Sequence, residues 1–175
     1  MSVENSVKAA IRDIIDFPKE GIVFKDITPI FQDPQLCKEI VEAFVEQFKG
    51  VQIDAIACVE ARGFFFGPMI AQKLNIPFVP IRKVGKLPYD TISHKYDLEY
   101  GSAEIEMHKD GIKKDWKVLI HDDLLATGGT AAAAAELIST VGEVVGFSFM
   151  VDLTFLNGKQ VLNKYSENIK SLVEY

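Results

Sequence analysis

The chain has 175 residues, 48% of them hydrophobic and 25% charged, with a formal net charge of −6. That length and composition fit one folded domain with a core of useful size and exclude a disordered chain. The negative balance argues against non-specific nucleic-acid binding. It does not weigh against a phosphorylated ligand, because charges are screened beyond roughly 8–10 Å and local lysines and arginines decide. Cys37 and Cys58 belong to no CxxC or Cys/His cluster, so no zinc site is expected and both read as buried thiols in a reducing compartment. There is no apolar leader around Glu4 and Lys8 and no run of about 18 apolar residues, so a cytoplasmic protein without a membrane partner is expected.

Val3, Val7, Ala10, Ile11, Ile14 and Ile15 recur at helical spacing, which predicts an amphipathic helix over 3–15. Asp16 to Gly21 breaks it with Pro18 and glycine. Ile22, Val23 and Phe24 make a short β-type run closed by Asp26-Ile27-Thr28-Pro29; on its own, Phe24 reads as core. Asp33-Pro34 opens a second helix, with Leu36, Ile40, Ala43, Phe44 and Phe48 on its buried face and Gly50 past its end. Ile53 to Val59 is a strand whose carboxyl end delivers Glu60-Ala61-Arg62-Gly63 before a helix over 64–74. Arg62 there is either a surface cation or a fork onto a pair of phosphate oxygens, and the residues alone weigh the two equally.

Ile76 to Ile81 is the next strand, followed by Arg82-Lys83-Val84-Gly85-Lys86-Leu87-Pro88. Such a charge run is usually a solvated face; beside a polyphosphate it would neutralise charge. Residues 89–96 have weak periodicity and read as a long mobile loop, which makes 82–100 a flexible lid. His94 lies in it with no assigned role other than phosphate contact. Ala103, Ile105 and Met107 alternate with Glu104 and Glu106, a strand with one wet face that would leave both glutamates in solvent.

Val118, Leu119 and Ile120 form a short buried strand, with Asp122 and Asp123 just past its end and Leu124 and Leu125 turning the chain. His121 beside them reads as packing against the sheet. Ala126, Thr127, Gly128, Gly129 and Thr130 lead into an alanine-rich helix. Glycines let backbone N–H groups close on an anion, the threonines add hydroxyls, and the helix N-terminus adds partial positive charge. Together they make a monophosphate cradle. The two acids would repel that phosphate but suit a ribose diol or a hydrated metal, and they are costly to desolvate unless used. The stretch therefore describes a ribose 5-phosphate site. Neither GxxxxGK[ST] nor GxGxxG is present. Val144 to Val151 forms another buried strand ending at Asp152-Leu153-Thr154, Asn157-Gly158 turns into a short helix over 159–165, and 169–173 is a terminal strand. This alternation predicts an α/β fold with a central, mainly parallel sheet flanked by helices.

The run from Asp122 to Thr130, DDLLATGGT, resembles the phosphoribosyl pyrophosphate (PRPP) motif of the type I phosphoribosyltransferases. Together with Phe24-Lys25-Asp26-Ile27-Thr28-Pro29 and Glu60-Ala61-Arg62-Gly63-Phe64, it is similar to the adenine-using branch of that family, over nearly the whole chain. The resemblance implies the type I phosphoribosyltransferase fold as one domain, 1–175, with a small hood from about 1–35 plus the C-terminal segment. It implies a pentosyl transfer of purine salvage, adenine plus PRPP giving AMP and pyrophosphate. It also implies a homodimer, no nucleic-acid partner, and Mg²⁺ held mainly through PRPP rather than by a protein cage.

Carried over residue by residue, Asp122, Asp123, Ala126, Thr127, Gly128, Gly129 and Thr130 would bind PRPP or AMP. Ala61, Arg62, Arg82, Lys83 and Lys86 would face the pyrophosphate, in a loop where relatives often have a non-proline cis peptide. Val23, Phe24, Lys25 and Leu153 would bind adenine, with Phe24 stacking on the purine and the backbone around Val23 and Lys25 meeting its Watson–Crick edge. Glu99, with Arg62, would be catalytic, Glu99 handling the purine proton. Many relatives have Arg where Lys25 stands and an aliphatic residue where His121 stands. A phosphoribosyltransferase for another base stays open, as does a PRPP- or purine-sensing regulator. Such regulators carry a DNA-binding segment, for which this sequence has neither spare length nor a basic helix.

Overall fold

The computed structural model describes residues 2–97 and 102–175, with only the backbone of Asp97. The first helix, α1 (Val3–Ala10), is capped by the Ser2 hydroxyl, which accepts from the Asn5 N–H. It ends earlier than the apolar spacing predicts. Arg12–Ile15 is instead a strand, β1, paired antiparallel with β2 (Val23–Asp26), with Ile14 opposite Phe24 and Ile15 opposite Val23. Ile15 is 74% exposed, so the apolar stripe that suggested a longer helix has no core to face there. β-branched neighbours instead suit a pleated ribbon. This two-stranded sheet is the hood.

After it come α2 (Pro34–Gln47), β3 (Ala55–Val59), α3 (Gly67–Leu74), β4 (Phe78–Lys83), β5 (Thr91–Asp97), β6 (Ser102–His108), β7 (Lys117–Leu125), α4 (Gly129–Ser139), β8 (Glu143–Asp152), α5 (Gly158–Leu162) and β9 (Ile169–Glu174). The main sheet has seven strands in the order β5-β6-β4-β3-β7-β8-β9. The β4–β3–β7–β8–β9 part is parallel, and β6 joins β4 and β5 antiparallel. Ala57, Val118, Ile120 and Phe147 face the α4 side, against Ala134, Leu137 and Ile138. Ile56, Leu119 and Met150 face the other side, against Ile40, Phe44 and Phe66. The unbroken apolar runs of β3 and β7 follow from burial on both faces.

Three further expectations change. β7 does not stop before the acids: Asp122 pairs with Phe149, Leu124 with Val151 and Leu125 with Asp152. The long β8 beside it keeps the ladder going, so Leu124 and Leu125 continue the strand and the turn begins at Ala126. Residues 91–97 are not a loop but a strand zipped along β6. There Ile92 and Tyr96 pack on the core, an alternation too diluted by polar residues to read in sequence. Finally, Glu104 is exposed but Glu106 is only 4% exposed, because the turn after β4 folds over it.

Candidate active site

The carboxyl ends of parallel strands open onto one edge of the sheet, where α/β proteins bind ligands. β7 brings Asp122 and Asp123 there. Gly128, at φ 84°, starts α4, so the amides of 126–130 wrap into a turn at a helix N-terminus. Arg62, both acids and the 124–131 segment enclose a cavity of about 220 Å³. The PRPP-binding residues expected from the sequence are thus brought together.

Arg62 comes from the loop after β3. Gly63 lets that loop approach: a Cβ there would lie 3.0 Å from the His121 carbonyl and 3.1 Å from Asp122 Oδ1. Arg62 Nε consequently sits 3.0 Å from Asp123 Oδ2, an ion pair whose N–H is not aligned as a hydrogen bond. The Glu60–Ala61 peptide is cis, as the resemblance implied. Burial pushes the Asp122 carboxyl well above its ordinary pKa, and the Asp123 charge pushes it further. Burial also raises Asp123, with Arg62 pulling it back. Two full negative charges are therefore disfavoured in this cavity, as adjacent desolvated carboxylates require. His121 is buried edge-on to Phe44, with Nδ1 3.2 Å from Ser148 Oγ. Burial lowers its pKa to about 3, so it packs as a neutral ring.

The cations after β4 are arranged differently from a simple basic patch. Arg82 Nε and Nη2 donate to Glu60 Oε2 and Oε1, each at 3.0 Å, so its guanidinium fork faces a protein carboxylate. Lys83 ends β4 and is exposed; Lys86 follows in the turn. Residues 22 apart in sequence carry no local signal of such a pair.

The adenine candidates divide between two faces of the hood, as neighbouring strand residues must. Val23, Lys25 and Leu153 line a cavity of about 560 Å³ together with Asp13, Phe155 and Tyr175. Phe24 points the other way, its ring 4.9 Å from the Arg62 guanidinium. Lys25 Nζ is held by Asp13 at 2.8 and 2.9 Å and lies 3.9 Å from the centre of the Tyr175 ring. Glu99 lies outside the described residues. A larger cavity, about 680 Å³ between α2 and α3, contains none of these residues.

Residues 26–152 match the model of the phosphoribosyl transferase domain family. The chain is 52% identical over 174 residues to the adenine phosphoribosyltransferase of Cytophaga hutchinsonii, covering 99% of this chain and 96% of that one. The chain belongs to the adenine phosphoribosyltransferase family. Structures agree. The adenine phosphoribosyltransferase of Thermoanaerobacter pseudethanolicus superposes with a TM-score of 0.94 at 45% identity, covering 98% of this chain and 99% of that one. The Saccharomyces cerevisiae enzyme, solved with adenine and an imino-altritol bisphosphate, gives 0.91 at 40% identity over 98% of each chain. Family membership makes this chain a pentosyltransferase with the type I fold, and the matched segment spans the end of the hood, the 60–63 and 126–130 loops and the acidic pair. Among the described residues no helix is long and apolar enough to cross a membrane.

Proposed function

We propose that the chain transfers the phosphoribosyl group of PRPP to adenine, giving AMP and pyrophosphate in purine salvage. The observation that carries this is the single cavity in which the 126–130 turn, the Asp122–Asp123 pair and Arg62 meet. In this reading the amides and hydroxyls from Ala126 to Thr130 hold the 5-phosphate, and the acids accept hydrogen bonds from the ribose hydroxyls. Ala61, Arg62, Lys83 and Lys86 face the diphosphate, with Arg82 behind them. Phe24 covers the base on the Arg62 side, and the backbone at Val23 and Lys25 meets its edge; Leu153 lines the cavity on the other face of the hood.

Bond formation from the purine nitrogen to C1′ accompanies cleavage of the C1′–O bond. Positive charge develops on the ribose and negative charge on the departing diphosphate. Arg62, Lys83 and Lys86 are fixed cations on the leaving-group side, where preorganised charge lowers the barrier most. Anchoring the phosphate and diol keeps C1′ facing the base. Glu99 takes the proton that the base loses. A site closed to solvent once substrates are bound would exclude water as a competing nucleophile. The pair of hard oxygen donors lining the cavity suits a site shared with Mg²⁺, and among the described residues no three His, Cys, Asp or Glu side chains converge as a cage. The ion would therefore be held mainly by PRPP oxygens, and it supplies charge neutralisation at the diphosphate when bound.

The same reading makes the protein a cytoplasmic homodimer. The apolar groove beside Phe31 and Met69 and the 41% exposed Phe65 support self-association, and the free Cys37 and Cys58 suit a reducing compartment. The test is pyrophosphate release from PRPP and Mg²⁺ across a panel of bases. Adenine should exceed hypoxanthine and guanine by roughly 10²-fold or more, because a 6-oxo group leaves acceptors in the hood unpaired. Comparable rates would overturn the choice of base.

A further inference from the structure

Glu106 is a buried acid that the transfer chemistry does not use. It stands on β6 opposite Arg82 of β4. Its Oε1 accepts from the backbone N–H groups of both Lys86 and Leu87, each at 3.0 Å. Gly85 immediately before them has φ +87°. Successive amides converging from a left-handed residue form the concave nest that binds anions, and here the chain's own carboxylate fills it. Burial pushes the Glu106 carboxyl up, but the amides of Leu87, Lys86 and Gly85 and the Thr91 hydroxyl more than offset that, so it stays charged.

Arg82 extends the arrangement across the site. Its Nη1 donates to the Lys86 carbonyl at 3.2 Å, while Nε and Nη2 grip Glu60. Glu60 adjoins the Ala61-Arg62 loop. A continuous set of bonds therefore joins the two loops that present Lys86 and Arg62. A side chain needed only to fill space beneath the turn would be apolar; an acid buried there is tolerated only because its bonds are directed at one turn.

We propose that Glu106 is a positioning residue: by filling the 85–87 nest and acting through Arg82 and Glu60, it fixes Lys86 against Arg62 as a two-sided clamp on the diphosphate of PRPP. This rests on the phosphoribosyl-transfer reading above. Arg82 then works as the brace between the loops.

The test uses the full chain carrying Glu106→Ala or Glu106→Gln. The measurements are steady-state kinetics with adenine, PRPP and Mg²⁺, inhibition by inorganic pyrophosphate, and calorimetric titration with ribose 5-phosphate. E106A should raise the KM for PRPP and the inhibition constant of pyrophosphate about tenfold, the scale of losing hydrogen bonds to a charged group. Ribose 5-phosphate affinity and the KM for adenine should stay within about twofold. E106Q keeps an acceptor for both amides and should lie closer to wild type than to E106A. Arg82→Lys, which keeps the charge but loses the fork onto Glu60, should weaken pyrophosphate similarly and serves if E106A does not fold. A fall in kcat alone with pyrophosphate inhibition unchanged, or an equal loss of ribose 5-phosphate affinity, overturns the clamp. Wild-type protein that releases no pyrophosphate from PRPP with any base would instead refute the transfer reading, which separates the two failures.

Discussion

Gly158 stands at the start of α5, directly beneath the 126–130 turn, and Gly158→Ala is the sharpest way to perturb that turn from behind. A Cβ there would fall onto the Ala126 carbonyl oxygen, inside any real contact, and 2.9 and 3.0 Å from Leu125 Cδ1 and Cγ. Neither neighbour can yield cheaply, since Ala126 O is backbone and Leu125 is 1% exposed. Helix α5 is itself pinned, because Lys159 Nζ lies 2.8 Å from Asp152 Oδ2 and 2.6 Å from Glu174 Oε1. The displacement, on the order of 1 Å, therefore falls on residues 126–129. Overpacking of this kind costs about 1–3 kcal/mol, which for a chain of this size lowers Tm by roughly 2–4 °C per kcal/mol. A misplacement of about 1 Å costs on the order of 10²-fold in rate. Assayed well below Tm, G158A should lose roughly that factor in kcat/KM for PRPP while the KM for adenine changes little. Calorimetry should show a parallel loss of ribose 5-phosphate binding. Wild-type PRPP kinetics in a folded G158A protein would refute the placement of the sugar phosphate on this turn.

Asp123→Asn should reduce kcat/KM for PRPP by roughly 10–100-fold, the loss of a charged hydrogen-bond acceptor. Its Tm should be no lower than wild type, since one of two crowded buried carboxylates is removed; a fall in Tm without a kinetic effect would remove the pair from the site. His121 stays neutral in the fold down to about pH 3, whereas the unfolded chain takes up that proton near pH 6.5. Protons then bind preferentially to the unfolded state as pH falls, so this group removes about 2 kcal/mol of stability between pH 7 and pH 5. His121→Leu should therefore lose less stability than wild type over that interval in urea titrations, and parallel losses would contradict the assignment. Lys25→Arg should leave the KM for adenine within about twofold, because the side chain serves Asp13 and Tyr175; a larger change would place the cation at the base.

Most of the fold was readable because its signals are local. The buried runs around Ile56 and Leu119 leave little choice but two-faced parallel strands, and Thr127 to Thr130 announces a tight turn before a helix. The pairings that fix the site were not readable, because they join residues far apart in sequence. Arg82 meets Glu60 across neighbouring strands, and Glu106 meets the Lys86 amide across a β-ladder. Alternation alone assigned Glu106 to solvent, since period two distinguishes faces but not whether a loop returns to cover one. The helix over-extended to Ile15 fails for a related reason: spacing at 3, 7, 10, 11, 14 and 15 fits a helix, but only tertiary context shows that the second half has no core to cover. Lys25 and Phe24 are adjacent, yet strand geometry sends them to opposite sides of the hood, so one motif serves two cavities.

The most direct measurement is a crystal structure of the chain with AMP. The 5′-phosphate should lie against the amides of Ala126 to Thr130, the ribose hydroxyls on Asp122 and Asp123, and the purine beside Phe24. A nucleotide bound with its phosphate elsewhere, leaving those aspartates without a ribose, would contradict it.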